Sequence, residues 1–144
     1  MSTSPRLNDY PARASDKLRY CDTDRQGHVN NAVFSTFLET GRVEILHGPN
    51  GEVADDGAAF VIARLELDFL GEVTWPGTVE IGTAVVETGR SSVTLDQLVC
   101  QDDKPVARAK TVIVQMNEAT RKSQPLSEKA LQRFQGLRKP AVSA

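Results

Sequence analysis

Residues 20–47 read YCDTDRQGHVNNAVFSTFLETGRVEILH and join a polar loop to a long helical pattern. From about Asn30, apolar residues recur at spacings of three and four, which predicts an amphipathic helix. The Gly-Pro-Asn-Gly sequence at residues 48–51 predicts where this helix ends. A helix with a single apolar stripe needs a curved sheet to bury it, so this stretch decides the fold. The stripe consists of Phe34, Phe37, Leu38, Gly41 and Ile45.

Two positions in this helix carry further predictions. Either Asn30 or Asn31 is predicted to be the N-cap, because an asparagine side chain accepts a hydrogen bond from a first-turn N–H. Gly41 lies on the apolar stripe, where glycine lowers helix propensity. We therefore expect Gly41 to allow a close approach to the element that packs beneath it.

The rest of the chain is predicted to be mainly β-strand. A first short strand is predicted at residues 17–22, and a long run at residues 61–69 alternates apolar with polar side chains. Three further strands joined by tight turns follow, and Ser127 is placed to cap a short terminal helix that ends at Gly136. The three strands are predicted at residues 78–87, 91–100 and 106–116.

This order of elements predicts an α+β fold in which one helix lies across one face of an antiparallel sheet. Residues 1–16 have no sustained period and are predicted to be a flexible N-terminal arm, which leaves residues 17–144 as a single domain. The formal net charge of -2 gives no basic field for nucleic acid. No stretch approaches the ~18 apolar residues of a membrane span, and residues 1–17 lack the apolar core of a secretory signal. We expect a cytoplasmic protein that binds neither nucleic acid nor membrane.

The loop at residues 22–31 concentrates two carboxylates, a glycine, a histidine and two asparagines. Asp22 and Asp24 also suit a purely structural role, as Asx-turn residues that close a strand. The loop opens like an EF-hand, but the twelfth position is Val33 where calcium needs a bidentate Glu. We expect no metal and no cofactor.

The loop from Asp22 to Asn31, together with Phe37-Leu38-Glu39-Thr40-Gly41-Arg42, resembles the hotdog-fold acyl-CoA thioesterases of the 4-hydroxybenzoyl-CoA thioesterase type. The loop also resembles the active-site segment of plant acyl-ACP thioesterases, Asp-x-Asp-x-Asn-Gln-His-Val-Asn-Asn. The resemblance implies a hotdog fold, in which a curved antiparallel sheet wraps around one long helix. It also implies homodimers or homotetramers that bind acyl-CoA at the subunit interface.

By this resemblance, Asp24 is the catalytic carboxylate and a backbone N–H near Asn31 polarises the thioester carbonyl. Thioester hydrolysis needs a nucleophile or an activated water, and a donor for the charge that develops on the carbonyl oxygen. The sequence leaves open whether Asp24 is the nucleophile or the general base. His28 is predicted to be one of the catalytic residues and to orient the substrate or the loop. The predicted substrate-binding residues are Gln26, Asn30, Phe34, Glu39, Ser91 and Ser92.

The sequence thus predicts an enzyme that hydrolyses acyl-CoA thioesters to free acid and CoA. A non-catalytic acyl-CoA or acyl-ACP binding protein is the alternative from another class. An acyl-ACP thioesterase, or another thioester reaction on the same fold, is a further alternative. The acyl chain and the carrier stay open at this point.

Overall fold

The computed structural model describes residues 5–48 and 51–139. The helices are α1 (Val33–Leu46) and α2 (Glu128–Gln135), and a small hairpin joins β2 (His47–Gly48) to β3 (Gly51–Glu52). The other five strands form one antiparallel sheet in the spatial order β1-β5-β6-β7-β4. The predicted α+β architecture is confirmed. These strands are β1 (Ala12–Lys17), β4 (Ala58–Phe69), β5 (Thr78–Thr88), β6 (Ser92–Gln101) and β7 (Lys104–Asn117).

Helix α1 lies against the sheet with all five residues of the predicted apolar stripe buried. The close approach expected at Gly41 is confirmed, because a Cβ atom there would lie 2.7 Å from both Ile81 Cγ2 and Thr83 Oγ1. Only the absence of a side chain lets the helix lie this near to β5.

A buried glutamine ties the helix to the sheet directly below Gly41. Gln97 Nε2 donates to the backbone oxygen of Leu38 at 3.0 Å and to Thr83 Oγ1 at 3.1 Å. Gln97 Oε1 accepts from the Thr111 hydroxyl at 3.3 Å. Because burying unpaired polar atoms is costly, this satisfied network fixes the height and rotation of α1.

The structure corrects the prediction for the N-terminal part of the chain. Residues 7–16 are not a loose arm: Leu7–Asp9 form a 3-10 turn, and Leu7 and Tyr10 are buried. The first strand is Ala12–Lys17, which pairs with β5, and not residues 17–22. The alternation of this edge strand could not be predicted from the sequence, because its half-buried positions carry few apolar residues.

The start of α2 and the C-terminal ends of both helices lie close to the predicted signals. The N–H of Ala130 donates to Ser127 Oγ at 3.1 Å, so Ser127 caps α2, which Gly136 ends. Helix α1 stops at Leu46, close to the predicted Gly-Pro-Asn-Gly signal, of which residues 49–50 lie outside the described part.

Across the described ranges, no helix has the length and apolar character needed to cross a membrane.

Candidate active site

The structure separates the roles of the two loop aspartates. Asp22 is buried at the end of a 3-10 turn, Tyr20–Asp22. Its carboxylate accepts from the Arg19 backbone N–H at 2.9 Å and from Arg19 Nη2 at 3.0 Å. Its backbone oxygen accepts from the Asn30 N–H at 2.8 Å. Asp22 therefore holds the loop together and has no carboxylate face toward a ligand.

Asp24, in contrast, is exposed and is held by only one of its oxygens. Oδ1 accepts from the backbone N–H groups of Gln26 at 2.9 Å and His28 at 3.1 Å. Within the described part of the chain, Oδ2 accepts no hydrogen bond. The carboxylate is thus fixed in orientation, with one oxygen left available for chemistry.

The start of α1 differs from the prediction in a way that bears on the site. The helix begins at Val33, and its N-cap is Ala32 and neither asparagine. Asn30 instead accepts from the Ala32 N–H through Oδ1 at 2.9 Å. The first amides of α1 are satisfied by i→i+3 bonds, so they are not the donors that the helix start was expected to offer. Among residues 5–48 and 51–139, the backbone N–H of Asn31 has no acceptor.

A cavity of about 460 Å³ brings this machinery together. It contains Asp24 and Asn31 from the loop and reaches Phe34 on the first turn of α1. Five of the nine predicted site residues line it: Asp24, Gln26, His28, Asn31 and Phe34. Residues 69–73, from the last residue of β4 into the turn that follows it, also line the cavity. A second cavity of about 440 Å³, between the end of α1 and α2, contains none of the predicted site residues.

An aromatic cluster forms the apolar part of this cavity. The rings of Phe34 and Phe69 meet edge to face, with their centroids 5.2 Å apart, and Phe37 packs on Phe34 at 5.8 Å. Phe34 is 2% exposed whereas Phe69 is 50% exposed. An apolar ligand group at this point would therefore contact mainly the Phe69 ring.

The cavity wall also carries a histidine–carboxylate pair that the sequence did not suggest. His28 Nε2 lies 3.1 Å from Glu72 Oε2. Glu72 stands 48 positions beyond Asp24 (72 − 24) and comes from the turn between two strands, so no local motif could indicate it. Its neighbour Phe69 was missed as a site residue because the alternation of β4 predicts only a core side chain.

Four predicted substrate-binding residues are not brought into this cavity. Asn30 faces the helix start, where it makes the hydrogen bond to Ala32. Glu39 is exposed on α1 and absent from the cavity lining. Ser91 and Ser92 stand beyond the far end of β5, whose 11 residues span roughly 35 Å at ~3.3 Å per residue. The serines therefore cannot touch a ligand beside Asp24 from within the same chain unless that ligand is long.

Arg42, three residues beyond Glu39, is in an unusual state. Its Nη1 atom is buried, and nothing in the described part of the chain accepts a hydrogen bond from it. Burial lowers the pKa of this guanidinium below its usual range, and the nearby Glu39 charge opposes that effect only in part. Over the same residues, no group of three or more His, Cys, Asp or Glu side chains is arranged to hold a metal ion.

The chain belongs to the thioesterase-like superfamily, whose family model matches residues 18–134. A thioesterase from Thermus thermophilus, solved with coenzyme A and Zn, is 30% identical, with a TM-score of 0.76. That match covers 87% of this chain and 98% of the Thermus chain. The PA5185 protein of Pseudomonas aeruginosa shares the fold at 20% identity, with a TM-score of 0.83 over 96% and 99% of the two chains. The predicted hotdog fold is confirmed.

A curated relative comes from a plant. The chloroplastic acyl-acyl carrier protein thioesterase ATL3 of Arabidopsis thaliana is 28% identical over 110 aligned residues, and the match covers 73% of this chain. The chain spans 58% of the length of that relative.

Proposed function

We propose that the protein hydrolyses acyl-CoA thioesters to free acid and CoA, as a thioesterase of the 4-hydroxybenzoyl-CoA thioesterase type. One observation carries this proposal: Asp24 and Asn31 line one cavity, and Asp24 Oδ2 and the Asn31 N–H have no hydrogen-bond partner in the described residues. A carboxylate and an amide donor in one cavity are the two groups that thioester hydrolysis requires.

Asp24 brings about the attack on the thioester carbon in one of two ways. As nucleophile, Oδ2 adds to the thioester carbon, CoA leaves as the thiolate, and water then hydrolyses the mixed anhydride to regenerate the carboxylate. As general base, Oδ2 takes a proton from the water that adds to the same carbon. Either way the amides of Gln26 and His28 hold Oδ1 and so fix the orientation of the carboxylate, while Oδ2 stays available.

The Asn31 N–H stabilises the oxygen of the tetrahedral intermediate. It needs no reorganisation to do so, since it makes no hydrogen bond within the described residues of the free protein. A thiol has a pKa near ~8.5, so the leaving thiolate needs only weak assistance. His28 lines the same cavity and can protonate the leaving thiolate or orient the thioester.

The acyl group is proposed to lie against Phe34 and Phe69, with the Gln26 side chain at the cavity edge to contact the substrate. The coenzyme A bound to the Thermus relative supports CoA as the carrier. The plant relative is named for acyl-acyl carrier protein, so an acyl-ACP thioester is a competing substrate. The two share the phosphopantetheine thioester that Asp24 and Asn31 would act on.

The proposed active form is a homodimer or homotetramer. Strand β4 is an edge strand, and its helix-facing residues Ile62, Leu65 and Phe69 are 50%, 36% and 50% exposed. An exposed apolar edge of this kind is a site for pairing with another chain. Arg42 supports this arrangement. It lies on the opposite side of α1 from Thr40, whose hydroxyl donates a hydrogen bond to Asp16 of β1. Its unpaired Nη1 is thus on the flank of the helix that faces away from β1.

A second copy also gives a role to the residues that the cavity does not contain. Ser91 and Ser92 would reach CoA bound at an interface, and Glu39 would contact substrate from the exposed flank of α1. Asn30 would act indirectly, since its hydrogen bond to Ala32 sets the position of Asn31.

Thiol release from a panel of acyl-CoAs with short, medium, long and aromatic chains tests this function. Acyl-ACP is assayed beside them, and Asp24→Asn is the matched inactive variant. Turnover by the wild type that disappears in the variant supports hydrolysis and ranks the substrates. Saturable acyl-CoA binding without turnover would overturn it in favour of the binding protein.

A further inference from the structure

Glu72 is the second carboxylate of the proposed active site. It lies in the turn that follows β4, and its side chain is 71% exposed, so it is not needed to fill the core. Oε2 lies 3.1 Å from Nε2 of His28, whose side chain is only 30% exposed. Glu72 thus lies beside the ring of a half-buried histidine, and both residues line the cavity.

His28 is connected to Asp24 through its main chain. Its N–H donates to Asp24 Oδ1 at 3.1 Å, and its carbonyl oxygen accepts from the Asp24 N–H at 2.7 Å. The next residue, Val29, donates its N–H to the Val73 oxygen at 2.8 Å. The loop backbone is therefore fixed without Glu72, and the contact that Glu72 makes is with the His28 ring.

We propose that Glu72 is a positioning residue for the thioesterase reaction and acts through the imidazole of His28. This inference rests on the proposed function. Glu72 Oε2 lies 3.1 Å from His28 Nε2, and a carboxylate beside a ring nitrogen favours the proton on that nitrogen, so in the neutral ring Nε2 carries the proton and Nδ1 is left as the acceptor. The ring then has one orientation and one tautomer when a thioester enters beside Asp24.

A positioning role and a structural role of Glu72 predict different effects on stability and on turnover. A solvent-exposed pair contributes little to folding, so loss of Glu72 leaves the melting temperature nearly unchanged. Residues in contact that act together give non-additive effects on a measured free energy. Removal of Glu72 should therefore matter only while the His28 ring is present.

A double-mutant cycle with Glu72→Ala, His28→Ala and the double variant tests this dependence. We expect Glu72→Ala to lower kcat about tenfold with little change in KM, and to have no further effect in the His28→Ala background. The same loss in both backgrounds would overturn the proposal, because Glu72 would then act independently of His28. An unchanged kcat in Glu72→Ala would also overturn it.

The chain offers a matched spectroscopic control, because it has only two histidines. His47 pairs with Glu52 through Nδ1 at 2.5 Å at the C-terminal end of α1, and neither residue lines the cavity. In NMR spectra of the imidazoles, Glu72→Ala should shift the His28 signals and leave those of His47 in place. Glu52→Ala should do the opposite and leave kcat unchanged.

The two proposals fail in different ways. A wild type that hydrolyses no thioester defeats the proposed function, whatever the imidazole spectra show. A wild type that turns over, with His28 signals unmoved in Glu72→Ala, defeats the role of Glu72 alone.

Discussion

The backbone N–H of His28 donates to Asp24 Oδ1 across a loop of four residues, at 3.1 Å. Gln26 adds a second amide to the same oxygen at 2.9 Å. Because the glycine between them, Gly27, has a φ of +81°, the chain can turn tightly enough for both amides to converge. The loop sequence therefore builds the carboxylate orientation from its own backbone.

This geometry makes Asp24→Asn a clean test of chemistry. The amide oxygen of Asn can still accept from both N–H groups, so the fold and the melting temperature should hold. Loss of the ionised oxygen should lower kcat by about 10²-fold or more, the scale of a positioned base or nucleophile. Steady-state kinetics beside thermal unfolding measure the two effects.

Asp22→Asn is the control from the same loop. Asp22 is buried and binds Arg19 through both carboxylate oxygens, so its loss should lower the melting temperature. If Asp24→Asn unfolds the protein while Asp22→Asn inactivates it without loss of stability, the assignment of the two roles is wrong.

The loop could be predicted from the sequence because its hydrogen bonds are local. Asp24, Gln26, His28 and Asn31 are close in the chain, so their proximity in space follows from one turn. Glu72 could not be predicted, since only the pairing of the loop with residues 73–74 places it there.

The same limit explains the errors in the fold. The stripe of α1 and the hairpin strands have strong periods, so they were predicted with nearly correct bounds. Strand β1 is set by its register with β5, in which Ala12 pairs with Thr83 and Lys17 with Thr78. No feature of the short polar segment itself indicates that partner, which lies in a distant part of the chain.

Gly41→Ala should destabilise the protein although alanine favours a helix. The new Cβ would lie 2.7 Å from Ile81 and Thr83 and 2.8 Å from Gln97 Nε2, in the buried network under the helix. Overpacking costs about 1–3 kcal/mol, more than the roughly 1 kcal/mol gained in helix propensity. Urea unfolding measures the balance.

Gly71→Ala is the matched control for that substitution. A Cβ at Gly71 would meet nothing nearer than 3.8 Å, so the free energy of unfolding should change little. Equal stability of the wild type and Gly41→Ala would contradict the close approach of α1 to the sheet.

Asp96 should make stability depend on pH. Burial acts to raise the pKa of its carboxyl, but hydrogen bonds from Arg108, Lys139 and Tyr10 hold that pKa below its usual range. A folded pKa below the unfolded value of about 3.9 stabilises the fold above that pH, and this stabilisation is lost as the pH falls. The difference in unfolding free energy between the wild type and Asp96→Asn should thus be larger at pH 7 than at pH 3.

Tyr10→Phe is the partial control, since it removes one donor and leaves Arg108 and Lys139 on the carboxylate. Its effect at pH 7 should be smaller than that of Asp96→Asn. A stability difference for Asp96→Asn that is the same at both pH values would show that the ion pairs contribute nothing.

The two cysteines should react very differently with a thiol reagent. Burial, followed by the charges of Asp103 and Glu80, raises the pKa of the Cys100 thiol to about 11, whereas Cys21 is exposed. Since the thiolate is the reactive form, one thiol should react in the native protein and the second only after unfolding. Cys21→Ser should abolish the native reaction, and it also removes the background from thiol-release assays. Two fast thiols in the native state would contradict the burial of Cys100.

The edge strand β4 predicts the effect of a charge placed on its helix-facing side. Ile62 is 50% exposed there, so Ile62→Lys would put an ammonium group into the proposed subunit interface. Light scattering should give the wild type a mass that is a multiple of 15.7 kDa and the variant a mass of 15.7 kDa.

Val86→Lys is the control, because Val86 is 46% exposed but lies on the inner strand β5. The monomeric variant should also lose turnover, since the proposed site takes Ser91 and Ser92 from a second copy. A monomeric wild type with full activity would contradict both the interface and the shared site.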